Sequence, residues 1–409
     1  MQRHARGADR EEGAIVHRAH GVAAAEPMLG DGEAGTCENV ARAAVAEMVP
    51  MRMRDDGGLH RLPGVDIKIT RRAVEAAVRS DHERCGVRCH EIQEPCLTEQ
   101  CASAVLMIRP AAFDYNPETA ATNSMQQRPQ TLGTGSLNEL AQAEFRDLVR
   151  ALESEGVVVC AVDDTPVPPK PDAVFPNNWV SFHADGTVVL YPMHAENRRR
   201  ERRREVIDVV ADKAGYKISR VLDLTHHELQ GRCLEGTGSL VLDHVNRIAY
   251  ASLSQRTHPA VVEEWAREFG YEPVTFQAVD RAGAPVYHTN VLLCIGERFV
   301  VAGTGAITSA DRGRVLERLR ASGREIIEIE HDEIEQFAGN MLELASWDEA
   351  LGDCRVLVMS GSARAGLKPE TYRRLSACTD TVLAVPVPTI EKLSGGSVRC
   401  MLAEIFLPA

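Results

Sequence analysis

Helical stretches alternate with strand hairpins along this chain at roughly sixty-residue intervals, about five times over, and that recurrence limits the folds open to it. Apolar alternation around turn residues marks the hairpins. Residues 180–191 alternate about Asp185-Gly186, residues 239–252 turn near 244–246, and residues 290–302 turn at Gly296-Glu297. Helical periodicity marks residues 137–155, a charged stretch at 198–214, and residues 259–269, 311–322 and 369–377. Single strands are expected at 104–108, 157–162, 220–224, 325–330, 341–345, 356–359, 381–385 and 398–407. No motif repeats in the sequence itself, so the repeat is one of structure. A radial arrangement of small mixed sheets fits, with helices outside and strand ends converging on an axis. A doubly wound sheet competes, but the hairpins put antiparallel pairs into the sheets and weaken it.

Composition narrows the function classes. The 409 residues carry 46 Lys and Arg against 59 Asp and Glu, a formal charge of −13, without the basic footprint of a nucleic-acid binder. Hydrophobic residues make up 44%, enough for a core. No apolar run approaches the ~20 residues of a membrane span. The opening residues lack the apolar stretch of a secretory signal. Eleven scattered cysteines, an odd count, argue for reduced thiols and a cytoplasmic setting. Residues 1–101 lack a clean strand pattern and are expected to form a poorly ordered extension, with short amphipathic helices near 40–48 and 71–78. Cys85 and Cys89 lie there at a C-x3-C spacing, but no second pair follows at finger-like spacing, so no metal is expected.

Several residues in the remainder, 102–409, can carry chemistry. Cys400 follows Ser394-Gly395-Gly396-Ser397-Val398-Arg399, where a Gly-Gly turn lets backbone approach a ligand and Arg399 supplies a positive neighbour. A buried inert thiol is the ordinary alternative. His288 stands at the mouth of an apolar strand, well placed for acid/base work; His226, His227, His244 and His258 compete with it. Glu235 precedes the turn Gly236-Thr237-Gly238. A proline-stiffened stretch brings Asp172, Asn177 and Asn178 together ahead of another strand. Arg256 follows a hairpin strand. Arg198 opens the run from 198 to 204, which reads as a solvated helix face whose first member can turn inward to fork a carboxylate. Gly236-Thr237-Gly238 and Gly303-Thr304-Gly305 lack the third glycine and helix of a dinucleotide site. Walker, nucleophile-elbow and H-E-x-x-H motifs are absent from the sequence.

In this order these pieces resemble the guanidine-modifying, or pentein, superfamily of dimethylarginine dimethylaminohydrolases, arginine deiminases and amidinotransferases. Met107-Ile108-Arg109-Pro110, Tyr115-Asn116-Pro117-Glu118-Thr119-Ala120, Phe175-Pro176-Asn177-Asn178-Trp179 and Phe337-Ala338-Gly339-Asn340-Met341-Leu342-Glu343-Leu344 are similar to its citrulline-utilisation hydrolase branch. The resemblance covers residues 102–409. It implies a five-bladed α/β propeller of ββαβ-type units around a central active site. It implies Cys400 as nucleophile, His288 as general acid/base and Glu235 as the carboxylate that orients it. Asp172 and Asn178, with Asn177 beside them, would meet the substrate's planar head. Arg198 and Arg256 would grip its carboxylate, and Asn116 would line the entrance. No cofactor is implied, the partner is a small amino acid, and a homodimer is left open.

The family commonly places carboxylates where this chain has Asn177-Asn178. A carboxylate pairs with a cationic guanidinium, whereas a carboxamide offers a donor and an acceptor without charge. The asparagines therefore favour citrulline, whose ureido head is neutral. The expected reaction is hydrolysis of its C–N bond through a thiocarbamoyl-enzyme to ornithine, carbon dioxide and ammonia, with backbone amides near Gly395-Gly396 holding the oxyanion. Asp172 keeps arginine and dimethylarginine open as substrates. An amidinotransferase and a catalytically silent binding propeller complete the alternatives.

Overall fold

A computed structural model describes residues 15–18, 51–53, 59–61, 99–129, 134–212, 214–348 and 352–409. The chain divides into two units, residues 1–20 with 98–409 and residues 21–97. Strand β1 (Ile15–Arg18) belongs to the first. The second is described at one antiparallel hairpin, β2 (Met51–Met53) with β3 (Leu59–Arg61). The helices expected near 40–48 and 71–78, and the Cys85/Cys89 pair, lie outside the described residues.

Among the described residues, the larger unit holds five small sheets with one pairing scheme. In the first, β4 (Ala104–Arg109) runs parallel to β5 (Val158–Asp163), joined by helix α1 (Thr134–Ser154). In the second, β6 (Val180–Phe182) pairs antiparallel with β7 (Thr187–Leu190), and α2 (Arg204–Asp212) leads to the parallel β8 (Arg220–Asp223). The third repeats this with β9 (Val241–Asp243), β10 (Ile248–Ser252), α3 (Pro259–Phe269) and β11 (Glu272–Phe276). The fourth has β12 (Leu293–Ile295), β13 (Phe299–Ala302), α4 (Ser309–Ala321) and β14 (Glu325–Glu328). The fifth has β15 (Leu342–Asp348), β16 (Gly352–Ser360), α5 (Pro369–Cys378) and β17 (Thr381–Val385), with β1 antiparallel to β17. The first sheet gains its antiparallel strand from the far end of the chain: β18 (Ala403–Glu404) pairs with β4, Ala403 opposite Leu106.

The sequence explains this layout locally. Middle strands β10 and β13 are buried along their whole length, whereas the outer strands β5, β8 and β14 are largely exposed. A strand covered on both faces reads as a continuous apolar run, which is how these middle strands are written. The β6–β7 turn needs Gly186: its φ is +83°, and a Cβ there would lie 2.3 Å from the Ser219 hydroxyl. Helix α3 is capped by His258, which accepts the Ala260 N–H, and stops at the left-handed Gly270. It buries Val261, Val262, Trp265 and Ala266. Truncating the fully buried Trp265 to alanine would cost about 3–5 kcal/mol. The packed unit is already tied down at Gln100, whose amide donates to the carbonyls of Leu242 and Ile295.

Three expectations change. The 198–214 stretch is not one helix: a 3-10 turn at Glu196–Glu201 precedes α2 and buries Arg198 and Glu201 against each other. The 398–407 stretch is not one strand, because Val398–Met401 forms a 3-10 turn before the two-residue β18. Strand β11 and the short helices Gly361–Gly366 and Pro388–Ser394 were not anticipated from the sequence. Among the described residues, no helix is long and apolar enough to cross a membrane.

Candidate active site

Loops and 3-10 turns that leave these small sheets meet at one pocket. Asp172, Asn178, Arg198, Arg256, His288 and Cys400 all line it. Glu235 lies behind His288, and Asn177 and Asn116 lie behind Asn178 and Asp172. The nine expected residues are thus one connected cluster, with three of them set back from the pocket wall.

His288 Nε2 is 2.8 Å from Glu235 Oε2, and both side chains are buried. Glu235 Oε1 also accepts the His194 N–H at 3.0 Å. Burial alone would push the Glu235 carboxyl up, but Arg256, then His288 and Arg198, hold it well below the ordinary carboxylate range. Burial pushes the His288 imidazole down to about 4, against the opposing pull of Glu235. The resting pair is therefore an ionised carboxylate and a neutral imidazole. Nε2–H donates to Glu235, which leaves Nδ1 as the unprotonated nitrogen.

The glycines of Gly236-Thr237-Gly238 serve close approach, not a dinucleotide. A Cβ at Gly236 would lie 2.1 Å from the Asn177 carbonyl. A Cβ at Gly238 would lie 2.5 Å from Asn178 Nδ2 and 2.9 Å from His288 Nδ1. The turn that ends in these glycines thus presses Glu235, the asparagine pair and His288 together.

Polar groups suited to a planar head come next. Asp172 Oδ2 accepts from Asn116 Nδ2 at 2.7 Å and from the Thr119 hydroxyl at 3.3 Å. Its Oδ1 is buried and has no hydrogen-bond partner among the described residues. Asn178 Oδ1 accepts from Arg198 Nη1 at 2.9 Å, and its Nδ2 donates to Asn177 Oδ1 at 3.0 Å. Asn116 is wholly buried and caps the short helix Pro117–Ala120, so it orients Asp172 from below and does not line an entrance.

The two arginines differ. Arg198 forks Glu201 through Nε and Nη2 at 2.9 and 2.8 Å, and spends its remaining arm on Asn178. Burial raises the Glu201 carboxyl to about 7 even against this partner. Sequence reasoning missed Glu201, because it sits inside an arginine run that reads as a solvated face. Arg256 lies 5.0 Å over the Tyr287 ring and donates to the Thr119 carbonyl and Thr122 hydroxyl. Its Nη1 is 3.5 Å from Glu235.

Cys400 sits on the Val398–Met401 turn and is buried. Asn340 Nδ2 approaches its Sγ at 3.3 Å and Asn290 Nδ2 at 3.6 Å. Neither asparagine was singled out from the sequence as a site residue, although Asn340 stands in a quoted motif and Asn290 follows His288 by two residues. Two expectations about this cysteine change. Arg399 does not face it; that guanidinium binds Glu404 and the Leu402 carbonyl, each at 2.9 Å. The Gly395 N–H goes to the Glu391 carbonyl and the Gly396 N–H to the Ser394 hydroxyl, so neither amide is free for an oxyanion.

The competing histidines lie elsewhere. His258 is the α3 cap, and His244 bonds the Tyr271 hydroxyl at 2.8 Å. His226 and His227 cluster with Glu264 outside the pocket.

Known proteins resemble the chain in sequence pattern and in fold. The family of eukaryotic N,N dimethylarginine dimethylhydrolases matches residues 109–407. No curated protein matches the chain. Among solved structures, apo ArgZ, an arginine dihydrolase from the ornithine-ammonia cycle in cyanobacteria, aligns with a TM-score of 0.58 at 18% identity. The alignment covers 75% of this chain and 41% of ArgZ, so the chain spans about two-fifths of that protein's length. The substrate-bound N-terminal domain of ArgZ aligns at TM-score 0.57 and 18% identity, over 74% of this chain and 99% of that domain. A dimethylarginine dimethylaminohydrolase in adduct with S-methyl-L-thiocitrulline aligns at TM-score 0.51 and 17% identity, over 74% of this chain and 100% of the other. At these identities the structural likeness is one of fold, and it agrees with the small mixed sheets described above. By a match that runs from β4 past β18, the chain belongs to the eukaryotic N,N dimethylarginine dimethylhydrolase family, among the C–N hydrolases of the guanidine-modifying superfamily.

Proposed function

We propose that the chain hydrolyses citrulline, with Cys400 as nucleophile, His288 as acid and base, and residues 102–409 as the catalytic domain in a cytoplasmic setting. The observation that carries the reading is the convergence of Cys400 with a His288 already oriented by Glu235 in one pocket. The five ββαβ-type units, with β18 returning to β4, support a closed five-bladed propeller around that pocket.

The Cys400 thiol passes its proton to His288 Nδ1, and Glu235 stabilises the resulting imidazolium. The thiolate attacks the ureido carbon. As the tetrahedral adduct collapses, the imidazolium protonates the leaving δ-amine, and ornithine departs from a thiocarbamoyl-enzyme. His288 then takes a proton from water, which attacks the thioester carbon. The adduct collapses with cleavage of the C–S bond, the imidazolium returns its proton to the Cys400 sulfur, and carbamic acid leaves and decays to carbon dioxide and ammonia. Asp172 Oδ1 would accept an N–H of the ureido head. Arg256 would meet the substrate carboxylate, while Arg198, closed by Glu201, would hold Asn178 in place.

A second reading takes a guanidinium substrate, as an arginine dihydrolase or dimethylarginine hydrolase. The partnerless Asp172 oxygen favours it, because a buried carboxylate suits a cation. The deciding experiment measures ornithine, citrulline and ammonia from citrulline, arginine and dimethylarginine. Ornithine from citrulline alone supports the first reading. Citrulline or ornithine from arginine, or citrulline from dimethylarginine, supports the second. Rates that depend on an added amine acceptor would replace both with an amidinotransferase.

A further inference from the structure

We infer that Asn340 and Asn290 are catalytic residues that hold the Cys400 thiolate by two neutral amide N–H donors. The inference rests on the reading of Cys400 as nucleophile. It starts from what a buried thiolate lacks here. An anion this far from water needs a cation or hydrogen-bond donors close by. Arg399, the adjacent residue, turns away to Glu404. Arg198 is closed by Glu201, and Arg256 is engaged by Thr119, Thr122 and Glu235.

The two asparagines fill that gap. Asn340 has a fixed orientation: its Oδ1 accepts the Arg399 N–H at 3.1 Å, and its Nδ2 donates to the Asn290 carbonyl at 3.1 Å. Flipping the amide would put two acceptors face to face at one bond and two donors at the other. Its nitrogen is therefore the atom that meets Sγ. Gly339 makes the seating possible, since a Cβ there would lie 2.2 Å from the Val291 carbonyl. Asn290 follows His288 by two residues and reaches Sγ from the opposite segment, its Nδ2 at 3.6 Å nearer the sulfur than its Oδ1 at 4.0 Å. Among the described residues its side chain has no hydrogen-bond contact other than Sγ.

Neutral donors suit this pocket. A lysine or arginine at Sγ would pair with the thiolate and add a positive charge beside the substrate's head. Amides favour the anion without either effect. They also bridge the catalytic segments, because Asn340 links residue 290 to residue 399.

The test is the pH profile of Cys400 alkylation by iodoacetamide in the full chain, followed by the mass of the Cys400 peptide between about pH 5 and 10. For Asn290→Ala and Asn340→Ala the midpoint should move up by about one pH unit, slowing labelling at pH 7 about tenfold. The limiting rate at high pH should stay unchanged, and kcat at neutral pH should fall with KM steady. Asn340 also carries structural bonds, so Asn290→Ala is the deciding variant. A wild-type profile in folded Asn290→Ala overturns the inference. If Cys400→Ser is then inactive, the nucleophile assignment survives that failure; if Cys400→Ser turns over substrate normally, both fall together.

Discussion

Two cavities of the same unit hold nearly the same chemical groups and differ in how those groups are bonded. Cys400, His288 and Arg256 line one; Cys294, His244 and Arg399 line the other, together with Gln100, Leu242 and Met341. Neighbours in sequence are shared out between them, with Arg399 in one and Cys400 in the other. In the second cavity the arginine and the imidazole are closed. Arg399 is bonded to Glu404, and His244 to the Tyr271 hydroxyl. Burial and then His183 push His244 down to about 3, while burial and then Glu343 drive the Cys294 thiol well above its usual range. In the first cavity a carboxylate orients the imidazole and two amides face the sulfur. A thiol, an imidazole and a guanidinium in one hole do not make an active site; the direction of their hydrogen bonds does.

The largest expected effect separates the two thiols. Cys400→Ser should lower turnover by at least ~10³-fold, whereas Cys294→Ala should leave kcat within about twofold. Equal losses in steady-state assays would erase the distinction. Next come two carboxylates, Glu235 and Glu404. Glu235→Gln should cost about 10²–10⁴ in kcat with the fold intact. Glu404→Gln should instead lower stability by about 3–5 kcal/mol, seen as a fall in Tm, because Arg399 is left buried and unpaired. An inactive but fully stable Glu404→Gln would move catalysis toward the second cavity. A smaller effect sharpens the chemistry of the first: Asn178→Asp should shift the arginine-to-citrulline ratio of kcat/KM by about tenfold or more toward arginine. An unchanged ratio removes the charge argument for citrulline.

The smallest effect is common to both regions. His288 and His183 are pushed by burial to about 4 and His244 to about 3, from an ordinary 6.5. The folded protein therefore withholds protons that the unfolded chain takes up. Stability is complete above about pH 6.5 and is lost as pH falls from there toward 4. At pH 6 the loss is about 1 kcal/mol per histidine. His244→Gln should flatten the acid side of a Tm–pH curve, and an unchanged slope would show that His244 does not contribute.

Much of this was readable in the sequence, and the gaps have physical causes. The five helices were placed within a few residues, apart from the 198–214 stretch, because an apolar face repeats over many turns. Cys400, His288 and Glu235 were named from motif order, and the fold brings them into one cluster. The 3-10 turn that carries Cys400 was misread as strand because Val398, Met401 and Leu402 form a short apolar run, which periodicity cannot assign. Glu201 was hidden since three arginines on either side of it suggest water, yet Arg198 turns inward and takes it along. Asn290 and Asn340 were hidden for a deeper reason. An amide's role depends on which atom it directs at which neighbour, and that is fixed by contacts between segments fifty residues apart.

The return of β18 to β4 bears on how the molecule is made. Ala403 and Leu106 close one of the long loops of the larger unit, and closing a loop costs more entropy the longer it is. Cys400 lies three residues before that pairing. Asn290 and Asn340 precede Cys400 in the chain, and their segments meet it only when the last turn packs against them. Refolding should then show activity returning in step with the slowest phase, and activity that precedes that phase would mean the site assembles without the β18–β4 pairing.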